Sequence, residues 1–328
     1  MAEIRSARTL PKMILIPGIA VELSPSQLLR IKEILPRAEI HYTGNMRAIA
    51  DIMPGAEVIF GHPDPKLLKA ADKLQWLHLP FSGIDVYGDI RLYANRSVTL
   101  TNARGIYGIT VSEHILGMVL ALLRGLPDYV RQQDRRIWER KEHARELYGS
   151  VVLVLGLGDL GKRTAALFKA MGCSVWGIRR NSLQTIPEVD NIYPLHKLHS
   201  ILPEVDIVIN CLPETTQTLG LFDSGAFGCM SEQAIFVNAG RGGAVDEEAL
   251  CRALSEKKIF AAAIDVSNQE PPGEDSLLWQ TPGLLISPHS AAASPYVFRR
   301  NYELFCDLLS RYASGRRLYN KVDFFAGY

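Results

Sequence analysis

The chain has 328 residues, 47% of them hydrophobic and 22% charged, with a formal net charge of +1 at pH 7. That length is enough for two domains with buried cores, and the near-neutral charge gives no reason to expect nucleic acid or an anionic membrane as a partner. The first dozen residues, MAEIRSARTLPK, lack an apolar signal core, and the longest strongly apolar helical run, Ile115 to Leu123, is too short to span a bilayer, so a cytoplasmic protein is expected.

In chain order, residues 13–18 (MILIPG) read as a strand, 25–35 as a helix and 38–42 (AEIHY) as a second strand. A third strand at 57–60, a helix at 65–71 and a fourth strand at 74–79 continue the alternation. Strands interleaved with short helices predict a parallel α/β domain. The loop that follows, PFSGIDVYGD, carries Gly83 and Gly88 at the carboxyl end of a strand, where such folds bind ligands.

Residues 98–102 form a short strand and 108–124 a long helix, in which Val111, Ile115, Met118, Val119 and Leu122 recur at helical spacing while the other faces are apolar too. His114 lies on that helix and reads as a structural core histidine, since no second acid or metal ligand is near it in sequence. Residues 130–146 are crowded with charge of both signs, the mark of a solvated helix face. Trp138, embedded there, is expected to bury itself against a partner such as a second subunit.

Val151 to Asn181, VVLVLGLGDLGKRTAALFKAMGCSVWGIRRN, reads as strand, glycine turn, helix and strand. In that context a GxGxxG match becomes a dinucleotide fingerprint. Gly156 permits the tight turn, Gly158 lets backbone N–H groups approach a pyrophosphate, and Gly161 lets the helix sit close to the strand. The phosphates gain from the positive end of the helix dipole. Further strands at 206–211, 234–238, 260–266 and 284–287 alternate with helices at 197–202, 223–230 and 246–257, the last capped by Asp246, to give a doubly wound sheet. A final helix at 293–313 precedes a tail that returns to the first domain. The five cysteines, Cys173, Cys211, Cys229, Cys251 and Cys306, are scattered without CxxC or a metal-like His spacing and read as reduced packing thiols.

Three strand ends in this half each deliver a polar residue: Arg241 in VNAGRGG, Glu270 in DVSNQEPP and His289 in ISPHSAAAS. Each follows an apolar strand at its carboxyl end, so the fold brings them to one crevice. Hydride transfer to a carbonyl carbon needs a proton donor for the oxygen, a role that suits His289. Glu270, hydrogen-bonded to that imidazole, would favour its charged form. Arg241 offers a planar fork for a carboxylate, so the implied substrate is a 2-oxo acid.

On these motifs together with NARGIYGITVSEHILGMVLALLR, CLPETTQTLG, VNAGRGGAVDEEAL and LWQTPGLLISPHSAAAS, the chain resembles the D-isomer-specific 2-hydroxyacid dehydrogenase family over nearly its whole length. The tail VDFFAGY and the arginines after the second strand of the fingerprint are most similar to the glyoxylate/hydroxypyruvate reductase branch. The resemblance implies two Rossmann-like doubly wound parallel-sheet α/β domains. A discontinuous, flavodoxin-like substrate domain would comprise 1–101 plus 290–328, and the dinucleotide-binding domain 102–289. It also implies Arg241 as substrate binder, Glu270 as partner of the acid/base and His289 as that acid/base, in a homodimer. The substrate carboxylate would be held by N–H groups of a loop after the fifth strand of the first domain, placed at Ser82 and Gly83. Cofactor contacts would come from Asp159 and Leu160 at the pyrophosphate beside Gly156, Gly158 and Gly161. Cys211, Leu212 and Pro213 would lie beside the adenosine, and Ala239 and Asp265 at the nicotinamide end.

The sequence departs from the family pattern in three places. Arg179-Arg180-Asn181-Ser182 stands where an acid would hold the ribose hydroxyls, and two guanidiniums suit a 2′-phosphate, so NADP(H) is expected over NAD(H). DVSNQEPP puts Ser267 between two landmarks that persist, which implies altered packing rather than lost chemistry. Phe81 narrows the loop of Ser82 and Gly83, favouring small substrates such as glyoxylate or hydroxypyruvate. The expected activity is therefore reduction of a 2-oxo acid to the D-2-hydroxy acid. A D-3-phosphoglycerate dehydrogenase is the alternative, and a dinucleotide-sensing corepressor a distant one.

Overall fold

In the computed structural model, which describes residues 11–17, 23–84, 86–140, 144–180 and 185–325, two parallel sheets account for the twelve strands found among those residues. The chain divides into two units, Met1–Ile106 with Pro295–Tyr328, and Tyr107–Ser294.

The first unit begins with β1 (Met13–Pro17), α1 (Pro25–Ile34), β2 (Glu39–Thr43) and α2 (Met46–Ile52), followed by β3 (Val58–Phe60), β4 (Trp76–His78) and β5 (Thr99–Thr101). Ser24 and Gln27 form a reciprocal capping box at the start of α1, with Pro25 at its first position, which satisfies two otherwise orphaned N–H groups. The strands order β2-β1-β3-β4-β5, all parallel, as in flavodoxin-like sheets.

The second unit runs α3 (Gly108–Leu123), α4 (Leu126–Asp134), β6 (Val151–Leu155), α5 (Asp159–Ala170), β7 (Ser174–Ile178) and β8 (Asn191–Tyr193). It continues with α6 (Leu198–Ile201), β9 (Ile207–Asn210), α7 (Ser224–Cys229), β10 (Ile235–Asn238), α8 (Glu247–Ser255), β11 (Ala261–Ile264) and β12 (Leu284–Ile286). The seven parallel strands order β12-β11-β10-β9-β6-β7-β8 and reverse direction of winding beside β6, the switch point of a doubly wound sheet. Both faces are buried: Leu153, Val208 and Phe236 pack on one core, Val152, Ile209 and Val237 on another. Near-continuous apolar strands are what a sheet covered on both sides requires.

The chain then returns to the first unit as α9 (Val297–Ala313), whose Phe305 stacks on Phe60 with ring centroids 4.2 Å apart and whose Tyr312 stacks on Trp76 at 5.2 Å. The tail closes the first sheet's edge, with Val322 N–H donating to Leu100 O at 2.9 Å. Among the described residues no single helix is long and apolar enough to cross a membrane.

The charged segment differs from the expected helix over 130–146. Gly125, at φ +64, starts α4 earlier, and the helix ends at Asp134 before a turn in which Arg136 takes φ +56. Trp138 lies beyond it in irregular chain, fully exposed.

Candidate active site

The glycine turn fits its expected use. Gly156, just past β6, has φ +91, and a Cβ there would stand 2.9 Å from the carbonyl oxygen of Cys211. A Cβ on Gly161 would run into the Gly156 carbonyl, so α5 can sit this close to the turn only with glycine there. Gly158 caps α5 without a side-chain hydrogen bond and opens onto free space. The N–H groups of Asp159, Leu160 and Gly161 therefore keep the orphaned, outward-facing character of a helix start, a ready anion seat.

Past β7, Arg179 has a buried Nη1 with no hydrogen-bond partner among the described residues, while Arg180 is exposed. A guanidinium N–H enclosed without an acceptor is costly, and an anion beside it removes that cost. Together the open helix start and this enclosed donor fit the phosphates of a dinucleotide. Asn181 and Ser182, which follow in the same run, lie outside the described residues.

Toward the chemistry, the loops after β9, β10, β11 and β12 brace one another. Asn210 and Asn238, each the last residue of its strand, are buried, and Asn210 Nδ2 donates to Asn238 Oδ1 at 3.0 Å. Asn210 Oδ1 accepts from Leu212 N–H at 3.1 Å, and Asn238 Nδ2 donates to the Arg241 carbonyl at 3.0 Å. One pair of amides thus fixes both the Cys211-Leu212-Pro213 segment and the Ala239–Arg241 segment. Burial pushes the Cys211 thiol up to about 12, so it lines this segment as a neutral group. Arg241 Nη1 donates to the Gly240 carbonyl at 2.9 Å, and a Cβ on Gly242 would run into the backbone of Ser267. The arginine loop therefore abuts the glutamate loop.

Asp265 is 4% exposed and its carboxylate is held by several donors. Ser287 Oγ donates to Oδ1 at 2.6 Å, and the N–H groups of Ser290 and Ala291 donate at 2.9 and 3.1 Å. Because the Ser287 proton goes to Asp265, the 2.8 Å contact of Ser287 Oγ with His114 Nε2 makes that nitrogen the donor. His114 is thus a structural histidine, half-buried and tied through Ser287 to Asp265. Asp265 O also accepts from His289 N–H at 2.8 Å, which holds His289 at φ +49, a left-handed conformation. There the imidazole Nδ1 lies 2.7 Å from Glu270 Oε2, while Glu270 Oε1 accepts from Ser267 N–H at 3.1 Å. With Nδ1 committed to the carboxylate, Nε2 is the atom left to give or take a proton.

Of the expected residues, Glu270 and His289 meet directly, Asp265 underpins them, and Arg241 comes off the neighbouring strand. Sequence reasoning missed Asn210, Asn238 and Ser287, with its tie to His114. The asparagines carried a signal, since DIVIN and IFVN both end an apolar strand in the same residue. Among the described residues no group of three His, Cys, Asp or Glu is placed to hold a metal ion.

In the first unit, Ser82 and Gly83 follow β4, the fourth strand, and not a fifth, because β5 comes later in the chain. Ala103 N–H donates to Phe81 O at 3.0 Å and Asn102 Nδ2 to Ser82 O at 2.7 Å, which pins the loop by its carbonyls. The N–H groups of Ser82 and Gly83 donate to nothing among the described residues, leaving two adjacent donors for an anion.

Residues 116–291 match the family model described as D-isomer specific 2-hydroxyacid dehydrogenase, NAD binding domain. A solved structure of a D-isomer specific 2-hydroxyacid dehydrogenase family protein from Aeromonas salmonicida is 32% identical, with a TM-score of 0.84 over 96% of this chain and 99% of that one. A D-3-phosphoglycerate dehydrogenase from Archaeoglobus fulgidus is 33% identical over 233 residues, 70% of this chain but 44% of that protein, so the chain spans under half the length of that curated relative. A glyoxylate/hydroxypyruvate reductase A from Salmonella paratyphi B is 32% identical over 190 residues, 57% of this chain and 59% of that protein. With over half its residues matching that model and a fold of the same kind as the Aeromonas structure, the chain belongs to the D-isomer specific 2-hydroxyacid dehydrogenase family.

Proposed function

We propose that this protein reduces a small 2-oxo acid of the glyoxylate or hydroxypyruvate kind to its D-2-hydroxy acid, with NADPH as the preferred reductant. The observation that carries this reading is the His289–Glu270 pair at 2.7 Å, set on strand ends beside Arg241 and a dinucleotide turn. A bound nicotinamide supplies the hydride. Nε2 of His289 gives the substrate oxygen its proton, and Glu270, on Nδ1, keeps the ring oriented. Arg241 takes the substrate through its planar fork. Ser82 and Gly83 offer paired N–H groups to its carboxylate, and Ala239 and Asp265 stand at the nicotinamide end. The orphaned Arg179 Nη1, with Arg180, favours the 2′-phosphate. By family resemblance the chain works as a homodimer, with the exposed Trp138 as its proposed contact.

A second reading, D-3-phosphoglycerate dehydrogenase, is favoured by the Archaeoglobus relative. A panel of glyoxylate, hydroxypyruvate, pyruvate and 3-phosphohydroxypyruvate with each cofactor tests both. Turnover of the unphosphorylated acids with NADPH is expected. Turnover of 3-phosphohydroxypyruvate alone would select the second reading, and no turnover of any would reject both.

A further inference from the structure

The first unit contains a polar group to which the reading above gives no task. His62 follows β3 in the segment Gly61-His62-Pro63, on the same carboxyl edge of the sheet as the loop of Phe81, Ser82 and Gly83. The segment is fixed on both sides: Gly61 N–H donates to His78 O at 3.0 Å, and Tyr87 Oη donates to Pro63 O at 2.7 Å. The imidazole packs against Phe81 with ring centroids 5.8 Å apart, and Phe81 in turn leans on Tyr87 at 5.9 Å. Its Nδ1 is buried without a hydrogen-bond partner, and its Nε2 makes no hydrogen bond among the described residues.

A half-buried imidazole held this rigidly yet bonded to nothing among the described residues is not explained by packing. Burial lowers its pKa, so the ring stays neutral, able to donate or accept but a poor partner for a dianion. The register pairs Phe60 of β3 with His78 of β4, which brings His62 level with Pro80, two residues short of Ser82. Adjacent strands are about 4.8 Å apart. A three-carbon 2-oxo acid spans about 4 Å from its carboxylate to its C3 oxygen, given C–C bonds of about 1.5 Å. A carboxylate on the Ser82 and Gly83 N–H groups therefore places a C3 substituent within reach of the neighbouring strand's loop.

We infer that His62 is a specificity-determining residue, whose ring edge hydrogen-bonds a C3 hydroxyl and so selects 3-hydroxy-2-oxo acids over glyoxylate, which has no C3. This rests on the proposed reduction of 2-oxo acids. A site built to bond a hydroxyl discriminates strongly against analogues that lack it, because its own polar group is otherwise left unpaired.

The test compares kcat/KM for hydroxypyruvate and glyoxylate, with NADPH, in the parent, His62→Phe and His62→Gln. The expected result is a loss of about ten- to hundredfold on hydroxypyruvate for His62→Phe with glyoxylate within about twofold, and partial retention by His62→Gln, which keeps a donor and an acceptor. Glyoxylate turnover serves as the folding control. Equal losses on both substrates, or no change in their ratio, overturn the role of His62 while leaving the reaction standing. A parent that reduces no 2-oxo acid overturns the reaction itself, and the assignment of His62 with it.

Discussion

Glu270 Oε2 and His289 Nδ1 stand 2.7 Å apart across nineteen residues of chain, with the second carboxylate oxygen held by Ser267 N–H. Replacing either partner separates chemistry from orientation. His289→Ala is expected to lower kcat about 10²–10⁴-fold, the contribution of a positioned general acid. Glu270→Gln keeps the shape and loses the charge, and is expected to lower kcat with a smaller effect on KM. A His289→Ala enzyme within tenfold of the parent rate would mean that the proton comes from elsewhere.

The proposed NADPH preference rests on the end of β7. In an Arg179→Ala, Arg180→Ala double variant, KM for NADPH is expected to rise at least tenfold while KM for NADH changes little, since each charge-assisted hydrogen bond contributes about 1.5–3 kcal/mol. Steady-state kinetics with both cofactors measures this. A parent that already prefers NADH would sink the assignment.

Ser287 bridges the buried Asp265 and the half-buried His114. Ser287→Ala is expected to lower unfolding free energy by about 1–3 kcal/mol, because it strips one donor from a buried carboxylate. Urea unfolding gives the number, and an unchanged midpoint would mean that the Ser287 bridge contributes nothing to the fold.

His78 sets a pH dependence of stability. It is fully buried, with Thr101 Oγ1 2.8 Å from its Nδ1, and burial lowers its pKa from 6.5 to about 3. Above pH 6.5 neither the folded nor the unfolded chain protonates it, and it contributes no slope. Between about 6.5 and 3 the unfolded chain binds a proton that the folded one refuses, so stability falls as the pH falls, by at most about 1.4 kcal/mol per pH unit. His78→Asn keeps a polar atom near Thr101 without a titrating ring. Its unfolding free energy between pH 7 and 4.5 is expected to fall less steeply than the parent's, and parallel curves would contradict the assignment.

Trp138 is fully exposed in a single chain, beside the exposed Ile137. Trp138→Glu is expected to shift the light-scattering mass from two chains toward one, and a variant that keeps the parent mass would dismiss this contact.

Much of the fold could be read from apolar runs and their stops. Asp246 was legible as a helix cap, and its Oδ1 does accept from Ala249 N–H at 3.0 Å. β8 was not, since Asn191–Tyr193 is a three-residue edge strand without a fully buried residue and so carries no apolar run. The charged stretch after α4 read as one helix because charge pattern does not reveal where backbone turns, whereas Gly125 and Arg136 at positive φ do. At the site, Glu270 and His289 were legible because each is a polar residue shortly after an apolar strand. The Ser287–His114 contact spans 173 residues and depends on where α3 packs, which no local pattern records. His62 was silent for a similar reason: its meaning lies in what it fails to bond.

The left-handed backbone at His289 bears on how position 289 tolerates change. At φ +49 a β-branched side chain is strained, whereas glycine and asparagine adopt that conformation readily. In a saturation library the yield of folded protein should then rank glycine and asparagine above valine and isoleucine, regardless of chemistry. Catalytic rate should follow a separate ranking that only histidine tops. A His289→Asn chain is therefore the cleaner inactive partner for ligand-bound crystals, since it keeps the main chain of the working enzyme while removing the imidazole.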